Sequence, residues 1–150
     1  PTRQELPLLA EAAQASLKEI GIEVDINNTL DVNEVVQDAS AWDVYAMANV
    51  QAPTGDPEYW FRVFALSDSA KNQGKYSNAQ LDALDEQLSQ EFDTAKRADL
   101  AVQMQQILLD DNAFVFCSFL KMSMISRSNV SNYTSHACDY YQITADLDIE

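Results

Sequence analysis

Residues 44–61 of this chain, VYAMANVQAPTGDPEYWF, decide its fold. The apolar segment 44–50 predicts a strand. Two prolines and a glycine then break regular structure, so 52–57 is predicted to be a loop at the carboxyl end of that strand. Ligands of open α/β sheets gather at such strand ends. The aromatic run 59–61 belongs to a predicted short helix that follows the loop.

The chain before this stretch alternates between helix and strand patterns. Apolar residues at helical spacing predict a first helix with one buried stripe, and Gly21 ends it. The stripe consists of Leu6, Leu9, Ala13, Leu17 and Ile20. Residues 22–27 alternate between apolar and polar side chains as a half-buried strand does. A short helix begins near Asp31, so the order is helix–strand–helix–strand, which is typical of an α/β layer with parallel strands.

The chain after this stretch predicts a helical hairpin and one more strand. Ser77 with Gln80 begins one helix, and Asp93 or Thr94 caps the next. Their apolar faces consist of Leu81, Leu84 and Leu88 on the first helix, and Leu100, Met104, Ile107 and Leu108 on the second. Such a pair covers a sheet, and 113–120 is predicted to be its central strand. No repeat or linker divides the chain, so 1–150 is predicted to be a single domain.

Composition indicates a soluble globular domain. Apolar residues make up 47% of the 150 residues and charged residues 22%, close to the globular average. The formal net charge of −15 comes from 24 acidic and 9 basic residues. Such a field repels phosphate backbones and anionic membranes, so nucleic-acid and lipid binding are disfavoured. The charge fits neutral or cationic ligands.

The two cysteines leave the redox compartment open. Cys117 lies in an apolar run and is predicted to be a small buried side chain. A bond between Cys117 and Cys138 requires a Cα separation that the sequence does not give. Cys138 lies near His136 and Asp139, but such a trio in a polar tail is far more often a chance arrangement than a metal site.

Residues that carry catalysis are scarce. His136 is the single histidine, which excludes the usual zinc sites built on several histidines. No catalytic residue, metal ligand or cofactor is predicted. One alternative is an enzyme of unknown type that uses Asp56, His136 and Cys138. Another is a protein-interaction module that uses the aromatic residues at 59–61 and 140–141.

The best candidates for ligand contact lie around the predicted loop. Neutral hydrogen-bonding groups come from Asn49, Gln51 and Thr54. Asp56 offers a carboxylate to a cation, and Trp60 offers a ring for stacking. Two structural alternatives stay open, because Asp56 is placed to cap the following helix and Trp60 to fill the core.

Seven short motifs, in their order along the chain, carry a resemblance to a known family. They are RQELP (3–7), LKEIGIEV (17–24), GDP (55–57), YSN (76–78), LDAL (81–84), Asp93 with Arg97, and LLDD (108–111). Together they resemble the peptide/nickel class, family 5, of extracellular solute-binding proteins. These proteins deliver ligands to ABC importers and carry out no reaction.

The resemblance implies an architecture and partners. The chain is similar to the C-terminal lobe of a larger two-lobed protein with the periplasmic binding protein type II fold. That fold implies a three-layer-like α/β lobe with a mixed, mainly parallel sheet flanked by helices. The implied partners are a small-molecule or peptide ligand, the permease and the N-terminal lobe of the same protein. The implied location is the periplasm, or the outer face of a membrane.

The resemblance leaves the ligand open. Peptide-binding relatives carry an acidic residue just before the Gly-Asp-Pro motif, whereas residues 51–54 here read QAPT. Nickel-binding relatives have a similar Ala-Pro pair, but with flanking aromatic residues where this chain has Gln51 and Thr54. They also carry a downstream histidine that is absent between Phe61 and Tyr76. A peptide-like or other small polar solute is therefore predicted.

Overall fold

The structure, a computed structural model, describes residues 3–121, 123–136 and 143–149. Within these ranges, five helices precede one short antiparallel sheet. The elements are α1 (Glu5–Glu19), α2 (Val32–Gln37), α3 (Glu58–Phe64), α4 (Ala79–Leu88), α5 (Thr94–Asp110), β1 (Val130–Ser131) and β2 (Asp148–Ile149). Val130 pairs with Ile149, and Ser131 with Asp148. No helix in these ranges is long and apolar enough to cross a membrane.

The core lies among α3, α4 and α5. Its buried residues are Phe61, Ala65, Leu66, Leu81, Leu84, Leu88, Ala101, Met104 and Leu108. The three α4 residues and two of the α5 residues belong to the apolar faces read from the sequence, so the predicted helical hairpin is confirmed. Burial of each large apolar side chain stabilises the fold by about 1.5–3 kcal/mol.

Side-chain caps begin both helices of the hairpin. The Asn78 side chain accepts hydrogen bonds from the backbone amides of Gln80 (2.9 Å) and Leu81 (3.2 Å). The cap of α4 is therefore one residue later than the predicted Ser77. The Asp93 carboxylate accepts from the Lys96 amide at 3.0 Å, which confirms the predicted cap of α5. Each cap satisfies amides that no helical carbonyl reaches.

A buried amide organises the connection between α3 and α4. The Asn72 side chain, 3% exposed, donates to the carbonyl oxygens of Leu66 (3.1 Å) and Tyr76 (2.6 Å). It also accepts from the Tyr76 amide at 3.1 Å. These bonds hold both ends of the segment that connects α3 to α4.

Helix α1 ends as predicted but is not buried as predicted. Gly21 adopts a positive φ of 84°, its amide donates to Lys18, and the Ile22 amide donates to Leu17. This pattern is a Schellman motif, which favours glycine at that position. No residue of α1 is buried, and Ile20 is 72% exposed. The predicted buried stripe is wrong for the described residues, because an apolar face is buried only where another element covers it.

The predicted mixed, mainly parallel sheet is also wrong for the part of the chain that the structure describes. The three segments predicted as strands, 22–27, 44–50 and 113–120, have no strand partner there. Alternating apolar residues indicate a surface that suits burial, but a strand also needs a neighbour for its backbone hydrogen bonds. Without neighbours, side chains such as Val44 and Phe119 are both 84% exposed.

Cys117 is another residue whose environment differs from the prediction. It is exposed and carries a free thiol, since the apolar run around it packs against no described strand. Cys138 lies outside the described residues, and so does Asp139. The sequence left a bond between Cys117 and Cys138 open, and the free thiol of Cys117 does not support it.

Candidate ligand-binding loop

Residues 51–57, here called the Gly-Asp-Pro loop, connect segment 44–50 to α3. The loop turns because the Gly55 amide donates to the Ala52 carbonyl at 2.9 Å. Gly55 has a φ of 80°, a conformation that side-chain-bearing residues rarely adopt. Among the five predicted contact residues, Asn49, Gln51 and Thr54 are exposed, whereas Asp56 and Trp60 are half-buried. The structure therefore presents the three neutral hydrogen-bonding side chains to solvent.

Asp56 is held by an arginine of the helical hairpin. Nη2 of Arg97 lies 2.8 Å from both carboxylate oxygens of Asp56 and 2.9 Å from Oε2 of Glu58. The Asp56 carboxylate also accepts from the Glu58 amide at 2.9 Å. Asp56 therefore satisfies the first amide of α3, but it does so from the position before the N-cap residue, which is Pro57. These contacts use oxygens that the ligand hypothesis assigns to a cation.

The ion pair shifts the ionisation of both partners. Partial burial raises the pKa of Asp56, but hydrogen bonds from Arg97 and from the Glu58 amide outweigh it and hold the pKa below its ordinary value. Hydrogen bonds to Asp56 and then Glu58 raise the pKa of the Arg97 guanidinium. Asp56 is accordingly a carboxylate at neutral pH, and it already has a cationic partner.

Arg97 is the residue of this site that sequence reasoning missed. It lies 41 positions after Asp56, and a contact over that separation leaves no periodic signal. The only trace in the sequence was the pairing of Asp93 with Arg97 among the family motifs. Arg97 also donates from Nη1 to the carbonyl oxygens of Leu88 (2.5 Å) and Glu91 (2.8 Å). It therefore links the loop to the end of α4.

Trp60 lies in an aromatic cluster beside the core. Its ring centroid is 5.1 Å from that of Phe114 and 5.7 Å from that of Phe116. The rings of Phe61 and Phe64 are also near, at 5.8 and 6.0 Å. Tilted and edge-on contacts of this kind stabilise aromatic clusters. The core role that the sequence left open is observed, and ligand stacking by Trp60 stays a prediction.

An acidic groove is bordered by α3, the segment after it and α4. It encloses about 860 Å³ and includes Tyr59, Asp68, Asp82 and Asp85 in its lining. Asp85, 2% exposed, accepts from Nη2 of Arg62 at 3.0 Å. Burial raises the pKa of Asp85, and Arg62 opposes that effect. None of the five predicted contact residues lines this groove.

The two alternative sites are only partly described. Asp56 is paired with Arg97, and His136 is exposed, but Cys138 lies outside the described residues. Their convergence stays untested. Among the described residues, no group of three His, Cys, Asp or Glu side chains is placed to hold a metal ion. In the aromatic run 59–61, Phe61 is only 3% exposed, so the run forms no continuous exposed patch. Residues 140–141 are not described.

The chain is similar to nickel-binding proteins in sequence and structure. It is 29% identical over 131 residues to the nickel-binding protein NikA of Staphylococcus aureus (strain NCTC 8325 / PS 47), across 87% of this chain and 27% of that protein. It also matches the crystal structure of Staphylococcus aureus NikA in complex with Ni(L-His)2, with a TM-score of 0.77 and 26% identity. The match covers 99% of this chain and 32% of that one.

A second solved structure gives the same result. The crystal structure of a nickel ABC transporter from Bacillus halodurans matches with a TM-score of 0.77 and 27% identity, across 99% of this chain and 32% of the other. No family model matches the chain. The chain thus spans about a third or less of the length of these relatives. This likeness to nickel-binding proteins confirms the predicted resemblance to the peptide/nickel class of extracellular solute-binding proteins.

Proposed function

We propose that this chain is one lobe, the C-terminal one, of an exported substrate-binding component of an ABC importer, and that its solute is a nickel complex with small organic ligands. The observation that carries this proposal is the structural match over 99% of the chain to NikA in complex with Ni(L-His)2. Binding, closure of the two lobes and delivery to the permease make up the mechanism. No covalent step is involved.

The environment of Asp56 favours a nickel complex over a peptide with a free amino group. The ammonium group of a peptide is bound by a carboxylate that has no other cationic partner. Both carboxylate oxygens of Asp56 are bound by Arg97. Residues 51–54, just before it, contain no acidic residue. A nickel ion that is already coordinated by amino-acid ligands is bound by the protein through hydrogen bonds and packing. Exposed neutral side chains supply such contacts.

Gln51 and Thr54 are the proposed hydrogen-bonding residues of this lobe, and Asn49 extends the same surface. The loop provides one side of the cleft. Closure of a second lobe over it buries the solute and strengthens each hydrogen bond by excluding water. The permease then recognises the closed form, and release follows reopening.

Calorimetric titration of the complete polypeptide that carries this chain tests the ligand. Nickel with two equivalents of L-histidine is expected to bind and to raise the melting temperature, because ligand that binds only the folded state stabilises it. Free L-histidine and an unmodified dipeptide are the comparison ligands. Saturable binding of the dipeptide but not of the nickel complex would make the protein a peptide carrier instead.

The 150-residue chain by itself provides a second test. With one side of the cleft only, it is expected to show little change in melting temperature at a nickel–histidine concentration that saturates the complete polypeptide. Micromolar binding by the isolated chain would contradict the two-lobed cleft.

A further inference from the structure

We infer that Arg97 is a positioning residue that holds the Gly-Asp-Pro loop in its ligand-binding conformation, an inference that rests on the proposed function. The residue touches no proposed ligand. It acts through Asp56, which follows Thr54 by two positions and Gln51 by five.

Arg97 joins three parts of the molecule through one guanidinium group. Nη2 donates to Asp56 in the loop and to Glu58 at the start of α3, at 2.8–2.9 Å. Nη1 donates to Leu88 and Glu91, which lie at and after the end of α4. The Arg97 side chain is only 17% exposed. Partly buried, charge-assisted bonds of this geometry are stronger and more specific than exposed ones.

This ion pair is the polar link between the loop and the hairpin. In the ranges that the structure describes, no other hydrogen bond joins residues 51–57 to α4, α5 or the turn between them. The remaining bonds of the loop are local, from Gly55 to Ala52 and from Glu58 to Asp56. Among the described polar contacts, the bonds of Arg97 to Asp56 are therefore what connects the loop carrying Gln51 and Thr54 to the hairpin.

This connection has a direct consequence for binding. If the ion pair is removed, the loop samples more conformations, and a ligand must order it on binding, which lowers affinity. Lysine keeps the charge but offers one ammonium in place of a two-pronged fork. It is expected to restore only part of the affinity.

A double-mutant cycle in the complete polypeptide tests the inference, with nickel–histidine as the titrated ligand. Arg97→Gln and Asp56→Asn are each expected to weaken binding about tenfold, and Arg97→Lys less. The double variant Arg97→Gln/Asp56→Asn is expected to lose no more than either single variant, because both break the same link. Lys96→Gln removes the same charge from the neighbouring position on α5 and is expected to change affinity less than twofold. Additive losses in the double variant would overturn the inference.

Hydrogen exchange supplies a readout that needs no ligand. The amides of Gly55 and Glu58, which donate the hydrogen bonds of the loop, are expected to exchange faster in Arg97→Gln and Arg97→Lys than in wild type and Lys96→Gln, while those of α4 keep their relative protection. Unchanged exchange of the loop in both Arg97 variants would also overturn the inference. If the loop loosens but wild type binds no nickel complex, the positioning role stands and the proposed ligand fails.

Discussion

Two buried polar side chains, Asn72 and Asp85, differ in whether all their polar atoms have hydrogen-bond partners. Asn72 makes three hydrogen bonds with Leu66 and Tyr76. Asp85 places one oxygen against Arg62, while its buried Oδ1 has no hydrogen-bond partner among the described residues. The first arrangement stabilises the loop after α3. The second holds a carboxylate in surroundings that oppose its charge.

Asn72→Ala is expected to lower the free energy of unfolding by about 3 kcal/mol, since it removes three bonds and leaves buried backbone groups unpaired. Urea unfolding measures the change. Asn33→Ala, at an exposed position of α2, is the matched control and is expected to change stability by less than about 0.5 kcal/mol. Equal losses of stability in the two variants would show that Asn72 does not organise the segment between α3 and α4.

Asp85→Asn is expected to change the pH dependence of stability. Burial raises the pKa of Asp85 above the ordinary carboxyl value of 3.8. The folded protein therefore holds this proton more tightly than the unfolded chain, and wild type loses stability as pH rises from that value towards the folded-state pKa.

The Asp85→Asn variant lacks this titration, so its stability relative to wild type is expected to increase from about pH 4 to about pH 7. Urea unfolding at both pH values measures the difference. Asp99→Asn removes an exposed carboxylate of α5 and shows how much of the trend is general. A relative stability of Asp85→Asn that falls with rising pH would contradict the argument.

At the scale of elements, the helical hairpin carries the stability of the core. Leu108 is fully buried, whereas its neighbour Leu109 is 52% exposed, so the two leucines form a matched pair. Leu108→Ala is expected to lower the free energy of unfolding by about 2–5 kcal/mol through lost burial and the cavity left behind. Leu109→Ala is expected to cost less than about 1 kcal/mol. Comparable losses would show that α5 packs in a different register.

The sequence predicted the helices well because the signals that form a helix are local. Asp93 caps its own helix, Gly21 ends its own helix, and Leu81, Leu84 and Leu88 mark one face within ten residues. None of these features needs a distant partner. The strand predictions were wrong for the opposite reason, because a strand needs a partner elsewhere in the chain. The apolar pattern of 44–50 or 113–120 indicates a face suited to burial but does not show whether a neighbouring strand is present.

The candidate site was predictable in part for the same reason. The break in pattern after residue 50 located the Gly-Asp-Pro loop, and the loop is observed there. The partner of Asp56 was not predictable from spacing, because Arg97 reaches it across 41 positions. Burial of Asn72 was missed too, since a polar residue in a polar segment carries no sign that backbone carbonyls surround it.

At the scale of the whole molecule, apolar side chains remain exposed outside the hairpin core. Val115 is 85% exposed and Phe119 84%, on the segment 113–120 that the sequence predicts to be the central strand. Exposed apolar patches of this kind mark surfaces that another polypeptide covers, or that associate. The net charge of −15 opposes association through long-range repulsion, which salt screens.

The isolated 150-residue chain is therefore expected to self-associate, and to do so more at about 0.5 M salt than at about 0.02 M, where the repulsion extends further. Light scattering coupled to gel filtration over a range of concentrations measures the mass. Val115→Glu/Phe119→Glu is expected to restore a monomer, because alternate residues of an extended segment share one face. Val102→Glu/Leu109→Glu adds the same charge on the exposed face of α5 and is expected to leave association largely unchanged. If that control dissociates the chain equally well, net charge and not the exposed face of segment 113–120 governs association.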